Sequence, residues 1–205
     1  MSVKIKLCGM FRDCDIDYVN EAQPDYIGFI VMFPKSHRNI DLETALRLKK
    51  RLLPSIKSVA VSVDAPVEAF AEFANSGAAE LLQLHGNENA EYIAELRKLT
   101  NVPIIKAIKV TNSEDVEKAQ SLDVDFLLLD SGTGSGKLFD HSLISKERIT
   151  KPFFLAGGLT PENVRTAALE IKPYAVDMSS GIETDKVKDK EKIIAAVREV
   201  RNGLG

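Results

Sequence analysis

The sequence predicts an α/β fold, a single-domain (β/α)8 TIM barrel of the phosphate-binding type spanning residues 1–205. Three observations carry this. Eight short β-like runs alternate with helical segments. Successive runs recur about 20–28 residues apart. The last two runs both end in small residues suited to a phosphate. Strand–helix alternation implies a parallel sheet covered by helices. Eight units favour a closed ring, with an open doubly wound sheet as the alternative.

The β-like runs are Val3–Cys8, Tyr26–Val31, Ser58–Val63, Leu81–Leu84, Ile104–Ile108, Phe126–Asp130, Phe153–Ala156 and Ala175–Met178. Helical patterning covers Cys14–Ala22, Leu42–Leu53, Val67–Ser76, Ala90–Leu99, Glu114–Gln120, Glu162–Ile171 and Lys190–Val200, with a weaker segment near Ser142–Arg148. Asp41, Asp64, Asn87, Ser113 and Asp189 are candidate helix caps. After the seventh run, Gly157-Gly158-Leu159-Thr160-Pro161 offers an N-cap at Thr160 and a first helical position at Pro161. After the eighth comes Ser179-Ser180-Gly181. Glycine lets a ligand approach the backbone, and free N–H groups at a helix start attract phosphate.

A chain of 205 residues buries one sizeable core. Its net charge of −3 provides no basic field, which argues against a nucleic-acid partner. No apolar run has the length to span a bilayer, so no membrane partner is expected. Met1-Ser2-Val3-Lys4-Ile5-Lys6 lacks a signal-peptide pattern, and two cysteines, Cys8 and Cys14, suit a reducing compartment; both point to the cytoplasm. Neither cysteine has partner residues at metal-ligand spacing.

Alternation along each strand divides inner from outer faces. Val3, Ile5 and Leu7 share a helix-facing side, and Lys4, Lys6 and Cys8 share the other. Gln83 aligns with His85, Lys106 stands in the fifth run, Asp130 ends the sixth and Asp177 lies in the eighth. These polar groups are expected in the lumen, either as site residues or as buried ion pairs such as Lys6 with Asp177. Cys8, His85 and Asp130 lie at carboxyl ends of strands, where barrel enzymes keep their chemistry. Cys8 is a small buried hydrophobe or a thiolate base favoured by Lys6. Asp130, after three leucines, is suited to general-acid work if burial raises its pKa. The following Ser131-Gly132-Thr133-Gly134-Ser135-Gly136-Lys137-Leu138 departs from a nucleotide-binding loop because Leu138 takes the Ser/Thr position; a lid is expected instead. Arg38, in Pro34-Lys35-Ser36-His37-Arg38, is a candidate fork for a carboxylate.

Taken in order, Lys6-Leu7-Cys8-Gly9, Gly28-Phe29-Ile30, Pro34-Lys35-Ser36-His37-Arg38, Gln83-Leu84-His85-Gly86, Leu129-Asp130-Ser131, Gly134-Ser135-Gly136-Lys137-Leu138-Phe139-Asp140, Ala156-Gly157-Gly158-Leu159 and Asp177 with Ser179-Ser180-Gly181 and Glu183 resemble the phosphoribosylanthranilate isomerases of tryptophan biosynthesis. The resemblance implies a cofactor-free and metal-free Amadori rearrangement of a small phosphoribosyl substrate by a monomer or homodimer. It implies that Asp130 is the general acid and Cys8 the general base. It further implies that Arg38 holds the anthranilate carboxylate, that Gly157, Gly158, Ser180 and Gly181 hold the phosphate, and that His85 and Asp177 contact the substrate. The chain departs from the family at Met10-Phe11, where Thr or Leu is common, at His37, where Pro is common, and at His141, where an aromatic residue is common. The histidine-biosynthesis isomerase that shares this type of barrel uses two aspartates, whereas the first run here ends in Cys8. A non-catalytic phosphosugar sensor is a reading from a different class.

Overall fold

Eight parallel strands pair in a ring, and the first meets the second to close it. In the computed structural model, which describes residues 3–130 and 149–202, β1 (Lys4–Cys8) pairs with β2 (Tyr26–Val31). The ring continues through β4 (Lys57–Ser62), β5 (Leu81–Leu84), β6 (Ile104–Lys109), β7 (Phe126–Asp130), β8 (Phe153–Ala156) and β9 (Ala175–Met178), which returns to β1. A two-residue β3 (Asn39–Ile40) extends the end of β2. After β9 a single 3-10 turn, Ser180–Ile182, leads into the small antiparallel pair β10 (Glu183–Thr184) and β11 (Val187–Lys188). The outer helices are α1 (Asp13–Ala22), α2 (Leu42–Arg51), α3 (Val67–Asn75), α4 (Ala90–Leu99), α5 (Ser113–Gln120), α6 (Val164–Ile171) and α7 (Lys190–Asn202). None of the described helices is long and apolar enough to cross a membrane.

The barrel strands begin and end within one residue of the apolar runs that predict them. Helix ends differ more. α2 stops at Arg51 rather than Leu53, because Pro54 pushes the preceding chain out of the helical region; Leu52 is already extended. Asp41 caps α2 by accepting from Thr44 N at 2.8 Å, and Asp189 accepts from Lys192 N in the first turn of α7 at 3.2 Å. The other expected caps are displaced. Asn112, not Ser113, caps α5, and Asn89, not Asn87, caps α4. Pro66 precedes α3, so Asp64 is not its cap; Asp64 instead accepts from Asn87 N at 2.6 Å and ties two turns at the strand ends together. Thr160 and Pro161 do not start a helix either. A turn covers 161–163, Asn163 Oδ1 accepts from Thr160 N at 2.8 Å, and α6 begins at Val164.

Two apolar clusters reflect the two strand faces. Val3, Ile5 and Leu7 pack with Leu82, Leu84, Leu127, Leu129 and the inner faces of the helices. Cys8, Val59, Val61, Leu81, Ile105, Leu128 and Phe154 fill the lumen. Lys4 sits at the amino end of the lumen, donating to Tyr174 Oη at 2.9 Å and lying 4.9 Å above that ring. It is held by aromatic rings rather than by a carboxylate. Lys6 and Asp177 form the pair expected across β1 and β9, with both carboxylate oxygens 2.9 Å from Nζ. Lys106 overturns its expected place in the lumen. Ile105 and Ala107 point inward, so Lys106 points toward the helix layer, where it is buried against Glu88 Oε2 at 2.7 Å and Gly86 O at 2.7 Å.

Candidate active site

A cavity of about 400 Å³ opens at the carboxyl ends of the strands. That size suits a small phosphorylated molecule. Among the described residues its wall contains Cys8, Arg38, His85, Asp130, Gly157, Gly158, Asp177, Ser180 and Gly181. All nine candidate residues from six different strand ends therefore meet in one place. The loop 131–140 expected as a lid and the helix expected near Ser142–Arg148 lie outside the described residues.

One end of the cavity is built from the turns after β8 and β9. Gly157 and Gly158 take φ values of 97° and 64°, a region that side chains with a Cβ disfavour. The two turns also touch: a Cβ on Gly181 would lie 1.9 Å from Leu159 O. No residue larger than glycine fits there without separating them. The result is a concave surface of backbone with little side-chain cover, the arrangement that suits phosphate.

Cys8 ends β1 with its side chain in the lumen, opposite Gly28 in the β1–β2 register. Burial pushes its thiol above the ordinary value; Lys6 and Lys188 pull the other way, and Asp177 adds to the upward push. Lys6, whose ammonium is bound by both oxygens of Asp177, has its pull on the thiol partly offset by that carboxylate. Burial alone would lower the Lys6 ammonium, yet Asp177 and then Cys8 outweigh it and hold that ammonium above its ordinary value. Burial thus works against a thiolate at Cys8, while the neighbouring cations favour one.

Arg38 lies beside Gly9, where an added Cβ would come within 2.6 Å of its Cδ, and it has a partner whose contact the sequence does not announce. Its Nε and Nη2 donate to the two carboxylate oxygens of Glu183 at 2.6 and 2.5 Å. One edge of the guanidinium is fixed in this way, and the edge bearing Nη1 is left for a ligand. Glu183 Oε1 also accepts from Lys188 Nζ at 2.6 Å. Burial works to raise the Glu183 carboxyl, but Arg38 and Lys188 overcome it and hold the group below its ordinary value. Sequence reasoning names Glu183 only as part of the family pattern, without its contact to Arg38, and misses Lys188. Glu183 and Lys188 come together because β10 and β11 form a hairpin whose turn residues, Asp185 and Lys186, have φ of 52° and 64°. Asn-Gly is the usual signal for such a turn, and Asp-Lys lacks it.

His85 follows β5, with Nδ1 2.8 Å from Gln83 Nε2. An amide nitrogen donates, so Nδ1 accepts and the proton of the neutral ring resides on Nε2, pointing away from Gln83. The ring stays accessible, yet its concave surroundings strip much of its bulk water. That desolvation, with Lys6 adding to it, holds the His85 pKa below its ordinary value. Asp130 lines the cavity from the end of β7, half-buried. Among the described residues no group of three or more His, Cys, Asp or Glu side chains is placed to hold a metal ion.

This arrangement can be compared with proteins of known family. The family model described as N-(5'-phosphoribosyl)anthranilate (PRA) isomerase matches residues 5–199. The chain belongs to the PRA isomerase family. An N-(5'-phosphoribosyl)anthranilate isomerase from Acetivibrio thermocellus is 43% identical over 217 residues, covering 98% of this chain and 97% of that one. The crystal structure of phosphoribosyl anthranilate isomerase from Thermotoga maritima has a TM-score of 0.86 at 34% identity, covering 98% and 99% of the two chains. A phosphoribosyl anthranilate isomerase in complex with reduced 1-(o-carboxyphenylamino)-1-deoxyribulose 5-phosphate has a TM-score of 0.84 at 33% identity, covering 98% and 99%.

Two positions at which this PRA isomerase family member departs from the usual pattern lie together. The rings of Phe11 and His37 meet edge to face with centroids 6.1 Å apart, and His37 Nε2 lies 3.0 Å from Lys186 O. The third departure, His141, lies outside the described residues.

Proposed function

We propose that this chain is a single barrel domain, residues 1–205, that converts N-(5'-phosphoribosyl)anthranilate to 1-(2-carboxyphenylamino)-1-deoxyribulose 5-phosphate, an Amadori rearrangement in L-tryptophan biosynthesis. The observation that carries this is one cavity with a thiol, a carboxyl, an arginine fork and two glycine-rich turns in its wall. It acts in the cytoplasm, without a cofactor, as a monomer or homodimer and with no nucleic-acid or membrane partner.

The chemistry follows from the wall. Asp130 donates a proton to the ribose ring oxygen, the C1–O bond breaks and a Schiff base forms between C1 and the anthranilate nitrogen. Cys8, as thiolate, removes the C2 proton, and the electron pair moves to give an enolamine. Ketonisation at C2 with protonation at C1 completes the isomerisation. Acid and base must start in opposite states, so the site has to separate their pKa values. The backbone at Gly157, Gly158, Ser180 and Gly181 takes the phosphate, and the open edge of Arg38 takes the anthranilate carboxylate. His85 and Asp177, in the same wall, contact the sugar.

The test is turnover of phosphoribosylanthranilate by the purified chain, followed as loss of substrate fluorescence with the ketose product identified by mass. Steady conversion supports the proposal. Tight binding without conversion supports the sensor reading instead, and conversion of the aminoimidazole carboxamide ribotide substrate alone would support the histidine-pathway reaction.

A further inference from the structure

We propose that Lys188 is a positioning residue for this reaction, a buried ammonium that favours the thiolate of Cys8 and ties Cys8 to the turn bearing Ser180 and Gly181. The inference rests on Cys8 acting as the base.

Lys188 ends β11 and is 3% exposed. Burying an ammonium is costly unless it is paired and hydrogen-bonded. Its Nζ donates to Glu183 Oε1 at 2.6 Å and to Ser179 O at 3.0 Å. Ser179 Oγ in turn donates to Cys8 O at 3.3 Å. A Cβ on Gly9 would lie 3.5 Å from Lys188 Nζ, which puts the ammonium directly beside the residue that follows Cys8. One side chain thus touches the phosphate turn, the partner of Arg38 and the chain at the thiol.

A count of charge gives this contact its sense. The charged and titratable groups around Cys8 are Lys6 on β1, Asp177 on β9 and Lys188 on β11, with Arg38, His85 and Asp130 in the same cavity wall and Glu183 bound to Arg38 and Lys188. Asp177 partly offsets Lys6 as its ion-pair partner. His85 is held toward its neutral form. Glu183 is a single carboxylate shared by two cations, Arg38 and Lys188. Beyond the Lys6–Asp177 pair, Lys188 is the cation whose charge favours the Cys8 thiolate. When a substrate carboxylate occupies the open edge of Arg38, Lys188 keeps its place beside Cys8.

The sign of the effect separates this role from a merely structural one. Loosening the turn would admit water and lower the thiol pKa by relieving desolvation. Removing a cation raises it. The experiment uses the full chain on a Cys14→Ser background, without substrate. Alkylation of Cys8 by iodoacetamide is followed across pH by peptide mass spectrometry. Lys188→Met is expected to move the midpoint up by about one unit and to slow alkylation at neutral pH about tenfold, with Lys188→Arg restoring the parental midpoint. The acid limb of kcat/KM moves the same way. If Lys188→Met does not fold, Lys188→Gln, which keeps hydrogen-bonding atoms without the charge, carries the same expectation. An unmoved or lowered midpoint, or an upward shift that Lys188→Arg fails to reverse, would overturn the proposal. Because no substrate is present, this outcome is independent of whether Cys8→Ala abolishes turnover.

Discussion

Cys8 and Gly28 are direct partners in the strand pair that closes the barrel, and a Cβ on Gly28 would lie 2.6 Å from the Cys8 Sγ. The bare Cα of Gly28 is what leaves the thiol its position in the lumen. Gly28→Ala has to displace that sulfur or the strand behind it. Overpacking of this kind costs about 1–3 kcal/mol. A shift of about 1 Å in a reacting group costs roughly 100-fold in rate. The expected result is a folded protein with a modestly lower midpoint of urea unfolding and kcat reduced by about that factor. Parental kcat in a folded Gly28→Ala variant would show that the sulfur's position is not critical.

The Lys6–Asp177 pair is a buried ion pair at the site, with Lys6 fully shielded from solvent. Asp177→Asn leaves the ammonium without its counter-charge, a change that typically costs about 3–5 kcal/mol. Replacing both groups, Lys6→Met with Asp177→Leu, removes the uncompensated charge and is expected to recover most of that loss. Urea unfolding of the single and double variants measures both. Equal losses in the two would mean that the charges themselves matter little to stability.

Glu183 predicts a separation of binding from chemistry. It holds Arg38 by one edge, so Glu183→Gln frees the guanidinium to wander. Hydrogen bonds to charged groups are worth roughly 1.5–3 kcal/mol, or about ten- to a hundredfold in KM. Steady-state kinetics should show KM raised by about that factor while kcat changes less. A pH effect accompanies it. The folded-state carboxyl of Glu183 is held below its ordinary value of 4.5. Its contribution to stability is therefore present above that value and lost as pH falls through the depressed folded pKa. Acid unfolding of Glu183→Gln should show a shallower loss over that window than the parent.

Much of this architecture is legible in the chain because period-two apolar runs and their spacing dictate strands and faces with little competition. The ring of eight strands and the convergence of Cys8, Asp130 and the late glycine turns at one end follow from parity and direction alone. Lys106 shows where parity needs care. In a six-residue strand with an apolar residue on either side, polarity places the lysine inward, yet Glu88 on the turn after β5 supplies a buried partner outside. Asp41 and Asp189 cap as expected, but Asp64, Asn87 and Ser113 miss by one or two places because several Asn, Asp and Ser residues compete at these turns, and tertiary contacts such as Asp64 with Asn87 decide between them. The Arg38–Glu183 contact joins residues 145 apart in sequence, through a hairpin with no glycine to mark it. The Lys6–Asp177 pair is legible from parity, but the direction of the Cys8 shift is not, because it is set first by how deeply the thiol is buried.

The central claim is that Cys8 and Asp130 act as base and acid on one sugar. It is tested most directly by kcat for Cys8→Ala and Asp130→Asn, each measured separately with phosphoribosylanthranilate. Both variants are expected to fold and to lose more than roughly 100-fold, the lower range for a positioned acid or base. Near-parental kcat in either one would contradict the role assigned to that residue.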